Sequence, residues 1–155
     1  MSEFRVEKRR EAAELTLVTG ATLSGVFFLA GSSHLHTGPE RVSDVMNLET
    51  GFFPFETALG MMLVNRTHVL KVALPPQMIE AELDAGYDVA KRRTVHMLLT
   101  TGDTVTGNVV IYCPPGRDRL SDYARNEELF RYLELEDRTL LINSSHIVAL
   151  TETAN

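Results

Sequence analysis

An internal duplication limits this chain more than any other feature. Residues 62–73 read MLVNRTHVLKVA, and residues 140–151 read LLINSSHIVALT. In each stretch apolar residues lead to an Asn, two polar residues follow, and a His opens a second apolar run. Leu63, Asn65 and His68 match Leu141, Asn143 and His146 at a constant offset of 78. A strand, a tight polar turn and a second strand produce this pattern, and Asn suits the turn because it tolerates left-handed backbone. Upstream, Thr19, Gly20, Thr22 and Gly25 match Thr101, Gly102, Thr104 and Gly107 at an offset of 82. The chain reads as two repeats of one small unit.

Each repeat opens with a hairpin pattern. Leu15–Thr19 and Thr22–Ala30 flank Gly20-Ala21 in the first repeat, and Val95–Thr101 and Thr104–Tyr112 flank Gly102-Asp103 in the second. Alternation puts Leu23, Phe27 and Leu29 on one core face, matched by Val105, Val109 and Ile111. Gly25 and Gly107 lie inside the second strand, where glycine signals sharp bending or a close crossing. The opposite face differs, because Val26 and Phe28 correspond to Asn108 and Val110. The first repeat is therefore expected to bury a second face, against its sister unit or another chain. Phe52–Thr57 and Phe130–Leu135 read as third strands. The apolar surface of Phe52, Phe53 and Phe55 exceeds what one strand face buries, while Pro54 marks an edge or a bulge. Val26, Phe28, Phe52, Phe53 and Phe55 are the candidate interface. Gly60–Asn65 with His68–Leu74, and Arg138–Asn143 with His146–Thr151, complete the five strands of each repeat.

Between strands two and three the repeats diverge. Residues 31–40 hold His34 and His36, a spacing that can bind metal but has no carboxylate or Cys close by, so a polar loop is the simpler reading and no metal site is expected. The second repeat has Cys113-Pro114-Pro115-Gly116 here, a stiff turn. Arg41-Val42-Ser43-Asp44 then recurs as Arg119-Leu120-Ser121-Asp122, each before a short helix-like stretch, Val45–Leu48 and Tyr123–Asn126. One reading makes Arg41, Asp44, Arg119 and Asp122, with Asn47 or Asn126, ligand-binding groups. The other is an intramolecular Arg–Asp pair with a capped helical turn, and recurrence in two divergent repeats favours it. His68 and His146 fit a ring nitrogen bonding the turn backbone. Residues 75–85 join the repeats and predict a linker helix, with Pro76 in its first turn, Ile79 and Leu83 one turn apart and Gly86 as its carboxyl-terminal cap.

The chain has 155 residues, 44% hydrophobic and 23% charged, which suits one ordinary domain or two very small ones sharing a core. Its net charge of −6 does not favour nucleic acid or anionic membrane. Residues 1–74 carry 7 basic and 8 acidic side chains, whereas residues 75–155 carry 8 and 13. Two basic triplets, Lys8-Arg9-Arg10 and Lys91-Arg92-Arg93, stand at equivalent places; they read as phosphate contacts or, more simply, as solvated gatekeepers beside an apolar strand. Residues 4–14 suit a short helix or an arm leading into a strand. The lone Cys113 leaves no internal disulfide and fits a reducing compartment. No apolar run reaches the length of a membrane span, and the charged amino terminus lacks a signal-peptide pattern, so a cytoplasmic protein is expected.

The closing segments MLVNRTHVLKV and LLINSSHIVAL resemble the second signature of Sm-like proteins, and LTTGDTVTGNVVIY resembles their first. The resemblance covers most of both repeats. It implies a mainly β fold of two tandem five-stranded SH3-like, Sm-like barrels, spanning residues 1–74 and 90–155 and joined by a short helix within 75–89. Sm-like proteins bind RNA and assemble into rings by pairing strand four of one subunit with strand five of the next. By that resemblance, three chains would close a six-barrel ring. In the family an Asp and an Asn of the first signature and an Arg-Gly of the second line the RNA pocket. Here the second signature has Asn65-Arg66 and Asn143-Ser144 without the Gly, and Asp44/Asn47 and Asp122/Asn126 are loose matches to the first. The tandem arrangement with RVSD and RLSD is also similar to uncharacterised bacterial proteins with Sm-like barrels.

Catalysis requires a convergent nucleophile, base and stabiliser, or a metal cluster. One Cys, five scattered His and no Gly-rich phosphate loop meet neither requirement, so no enzyme activity, cofactor or small-molecule substrate is expected. Two readings remain. One is an interaction and assembly module that self-associates as a homo-oligomer or binds a protein partner through apolar surface and strand edges. The alternative is an RNA-binding Sm-like protein, with Arg66, the triplets and Phe52 or Tyr132 supplying phosphate contacts and stacking.

Overall fold

The computed structural model describes residues 8–31, 38–48, 51–84, 86–112, 120 and 128–153. The chain is mainly β, as its patterning predicts. In the first repeat the strands are β1 (Lys8–Leu17), β2 (Thr22–Ala30), β3 (Phe52–Thr57), β4 (Gly60–Asn65) and β5 (Val69–Ala73). In the second they are β6 (Lys91–Leu99), β7 (Thr104–Ile111), β8 (Phe130–Glu134), β9 (Thr139–Asn143) and β10 (Ile147–Glu152). A short helix α1 (Val42–Met46) sits between β2 and β3.

The strands do not show two separate barrels joined by a helix. All ten belong to one antiparallel sheet, ordered β10-β6-β7-β8-β9-β5-β1-β2-β3-β4. Each repeat contributes the same internal order, fifth-first-second-third-fourth. The halves meet where β5 pairs with β9, with Lys71 opposite Ile142, Val72 opposite Leu141 and Ala73 opposite Leu140. Among the described residues the sheet does not close, so β4 and β10 are its two outer strands.

Local chemistry explains the bends. Gly25 and Gly107 are the close crossings that their in-strand position predicts. A Cβ at Gly25 would lie 2.2 Å from the Glu56 carbonyl oxygen, and one at Gly107 would lie 2.8 Å from the Glu134 carbonyl oxygen. Each repeat also has a bulge where its last strand leaves the turn. The register against β1 shifts between Thr16 and Leu17, so that Leu70 is skipped, and the register against β6 shifts between Ile147 and Ala149, so that Val148 is skipped. A bulge re-aims the skipped side chain. The turns before β5 and β10 are 3-10 turns over Arg66–His68 and Ser144–His146. Asn65 and Asn143 cap them from extended backbone, at φ −78° and −71°, by accepting from the Thr67 and Ser145 amides. The left-handed Asn expected there does not occur, because the side-chain cap makes it unnecessary.

The linker also departs from expectation. In place of an α-helix over residues 75–85 stand two 3-10 turns, Glu80–Leu83 and Tyr87–Val89, with Gly86 between them at φ +83°. Of the expected apolar pair, Ile79 is exposed, while Ala81 and Glu80 beside it are buried. Polar anchoring of the linker has replaced helical amphipathicity.

Phe27, Phe53 and Phe55 form the centre of the first core, with Phe27 and Phe53 stacked at 5.4 Å and Phe55 edge-on to Phe27 at 5.2 Å. Replacing Gly25 by Ala forces a larger backbone shift than the same change at Gly107. Gly25→Ala should therefore cost at least the roughly 1–3 kcal/mol of core overpacking, and Gly107→Ala less. Urea unfolding of both variants tests this, and an equal or smaller loss at position 25 contradicts it.

Candidate functional site

The most elaborate contact surface in the molecule is the junction between the repeats. Its backbone part is the β5·β9 pairing, and its side-chain part is reciprocal. Phe130 and Leu141, from the second repeat, are buried in the core of the first beside Leu15, Val69 and Val72. Leu70, from the first repeat, is buried in the core of the second beside Val95, Met97 and Ile142. The bulge in β5 explains how Leu70 reaches across, because it turns this side chain out of its own repeat's alternation. Burying an aliphatic or aromatic side chain of this size is worth roughly 1.5–3 kcal/mol. The junction is therefore a shared core.

Polar groups close the junction's rim. The Asn47 side chain, just past α1, accepts from the Phe130 amide at 2.7 Å and donates to the Phe130 carbonyl at 3.1 Å, as a neighbouring strand would. Asn143 Nδ2 donates to the Val69 carbonyl at 2.9 Å. His146 has Nε2 3.0 Å from the Thr67 carbonyl and Nδ1 2.9 Å from Thr100 Oγ1. Above α1, Glu80 of the linker accepts from the Val42 and Ser43 amides at 2.6 and 3.2 Å and from the Tyr132 hydroxyl at 2.9 Å. The Tyr132 oxygen also lies 2.8 Å from Ser43 Oγ. Burial pushes the Glu80 carboxyl up from its ordinary range; the donors from Val42, Tyr132 and Ser43 partly offset this, and the nearby Asp44 adds to it. Burial likewise raises Tyr132, with Glu80 adding to the shift. Asp84 accepts from Arg41 and from the Tyr112 hydroxyl, and Tyr87 donates to Glu134, which also pairs with Arg92. The linker thus staples α1 of the first repeat to β7 and β8 of the second.

Most of the residues singled out from sequence have their polar groups engaged in this framework. Arg41 donates its backbone amide to Asp44, which caps α1, but its guanidinium pairs with Asp84. The Arg–Asp pair exists, with a different Asp from the one in its own motif. Arg66 is buried, with Nε 2.7 Å from the Val45 carbonyl, NH1 3.1 Å from the Phe52 carbonyl and its guanidinium 5.5 Å above the Phe53 ring. Asn47 and Asn143 bridge the junction, and Asn65 caps its turn. Arg119, Asp122, Asn126, Cys113, His34 and His36 lie outside the described residues. In the basic triplets, Arg9 pairs with Glu11, Arg10 with Glu56, Arg92 with Glu134 and Arg93 with Glu152. Among the described residues there is no group of three or more His, Cys, Asp or Glu that could hold a metal ion. No helix among them is long and apolar enough to cross a membrane.

The expected interface set divides. Phe53 and Phe55 are wholly buried in the core, so they offer no surface. Val26 and Phe28 are half-buried, with the Arg10 guanidinium 5.2 Å over the Phe28 ring. Phe52 alone is exposed, and it is accompanied by Leu59, Met61 and Leu63 on or beside β4. Met61 and Leu63 were missed because they read as ordinary strand residues; the signal lay in their alignment with Thr139 and Leu141 of β9, which are buried. Comparison with models of known protein families, with characterised proteins and with solved structures finds no match.

Glu80 provides a test of the junction's rim. A carboxyl whose folded pKa lies above its unfolded value contributes stability that is fully present below the unfolded pKa and lost as pH rises through the folded one. The Glu80→Gln variant lacks this titration. The stability difference, wild type minus variant, should therefore fall as pH rises above the ordinary carboxylate range, as read by urea unfolding at a series of pH values. A difference that rises with pH contradicts the burial of this group.

Proposed function

We propose that this protein is a non-enzymatic interaction and assembly module, built from two Sm-like five-strand units, that self-associates or takes a protein partner on its open sheet edges. One observation carries the reading: among the described residues a ten-stranded sheet ends at β4 and β10 with both outer edges unpaired, and apolar side chains are exposed along them. An open edge presents unsatisfied amides and carbonyls that readily accept another strand, and soluble proteins ordinarily cover or charge such edges. Here the β4 edge carries Met61 and Leu63 instead. The Sm-like description of each unit is supported by the shared strand order and by the glycine crossing in each second strand.

The RNA-binding alternative has less support. The guanidinium of Arg66 points inward onto carbonyls, and four of the arginines in the basic triplets pair with carboxylates. With an acidic whole, this leaves little phosphate-binding surface.

The reading is tested in an extract of the cells that make the protein, by size-exclusion chromatography of the wild type and of the double variant Leu63→Glu/Val148→Glu. The wild type should elute well above its 17.3 kDa chain mass, free of excess absorbance at 260 nm, and the double variant should elute at the chain mass. A wild type that elutes as a single chain in the extract overturns the reading.

A further inference from the structure

Resting on the edge-pairing reading above, we infer that the β4 edge is covered by the β4 edge of a second copy of this chain, antiparallel about a two-fold axis at Leu63, so that the protein is a closed symmetric dimer. The two open edges are not equivalent. The β10 edge has a bulge at Val148, and near its end Glu152 lies opposite the wholly buried Val95, where it pairs with Arg93. Bulges and inward-facing charges are the means by which sheet edges avoid further strands. The β4 edge has neither. Its residues, Gly60–Asn65, read GMMLVN, without a charge or a proline, and run in unbroken register against β3.

The hydrogen-bond phase of β4 fixes how a second strand can lie on it. Arg66, just past β4, donates its amide to the Gly51 carbonyl at 2.9 Å, in line with the β3·β4 register. Successive residues of an antiparallel strand point their amides to opposite sides. Met62 and Val64 therefore face β3, as Arg66 does, while Met61, Leu63 and Asn65 present N–H and C=O outward. These three positions are symmetric about Leu63. A two-fold axis there sets Leu63 opposite Leu63 of the second copy and Met61 opposite its Asn65, each pair exchanging hydrogen bonds. Moving the axis to Met62 or Val64 leaves Asn65 or Met61 without a partner.

The side chains match the same axis. Leu63, Met61 and Phe52 are 68%, 55% and 60% exposed, on one face of the sheet. In the dimer the two Leu63 side chains meet at the centre, and Met61 lies beside Asn65 of the second copy, next to the Phe52 paired with it. On the other face Met62, packed at the margin of the first core, falls opposite Val64 of the second copy. The contact is apolar on both faces and the same from either chain, as an isologous interface requires. It ends assembly at two chains, because the edges left outside are the two β10 strands with their bulge and charge. A ring would need β10 as the receiving edge.

Charge pairing at the centre of the axis tests this, with purified full chains and light scattering at micromolar concentration. The wild type should have twice the 17.3 kDa chain mass and no more. Leu63→Glu and Leu63→Lys each set like charges directly opposite one another, so each alone should be monomeric. Mixed one to one they bring opposite charges together, and a dimer should reappear, as only a pairing of position 63 with itself allows. Val148→Glu, on the β10 edge, should leave the dimer intact. Leu63 is exposed, so both of its variants should keep the wild-type circular dichroism spectrum. A monomeric wild type overturns the inference. So does a wild type larger than a dimer, a mixture that stays monomeric, or a Val148→Glu variant that no longer assembles. If purified protein is monomeric while the protein in extract is not, a second copy fails as the occupant and the edge-pairing reading stands.

Discussion

The structure depends on one contact, the pairing of β5 with β9 and the exchange of side chains across it. Neither repeat has a complete core of its own. The first is filled by Phe130 and Leu141 from the second, and the second is filled by Leu70 from the first. A unit of this size buries a smaller fraction of its surface than a larger domain does, so sharing core residues makes two marginal units into one more stable body. The duplication is thus visible three times over: in the sequence spacing, in the strand order of each half, and in the contact that joins them.

Around this apolar exchange runs a set of buried or half-buried polar groups, several of which bind backbone. Asn47 satisfies both backbone polar groups of Phe130, its N–H and its C=O, and Glu80 satisfies the first amides of α1. Burying these groups costs desolvation that their hydrogen bonds only repay. Their contribution is geometric, because each bond ties an element of one repeat to an element of the other or to the linker. They set the angle and register at which the shared core can form, and the raised pKa of Glu80 is a by-product of that placement.

Much of the fold was legible in the sequence, and the reason is periodicity. The third and fourth strands of the first repeat, Phe52–Thr57 and Gly60–Asn65, have the predicted limits, and the two in-strand glycines are the close crossings expected of them. What alternation cannot convey is which sheet edge a strand finds. The pattern of residues 139–143 is that of any strand, and only its partner β5 distinguishes it from β4. For the same reason Phe53 and Phe55 read as surplus apolar surface, since nothing in their spacing reveals that Phe27 stacks with them. The linker misled through propensity: a proline start and a single apolar pair suggest a helix, while the groups that decide its path, Glu80 and Asp84, act through partners that lie about 40 residues away in sequence. Bulged residues such as Leu70 are hardest to read, because the bulge breaks the alternation by which faces are assigned.

The central claim is that the β5·β9 pairing makes the two repeats one body whose outer strands are β4 and β10. Amide hydrogen exchange, followed strand by strand as protein concentration is raised, tests this most directly. The account predicts that the amides of β5 and β9 are protected at every concentration, while the outward amides of β4 and β10 exchange quickly in dilute protein. A β9 that exchanges as fast as β4 in dilute protein would contradict it.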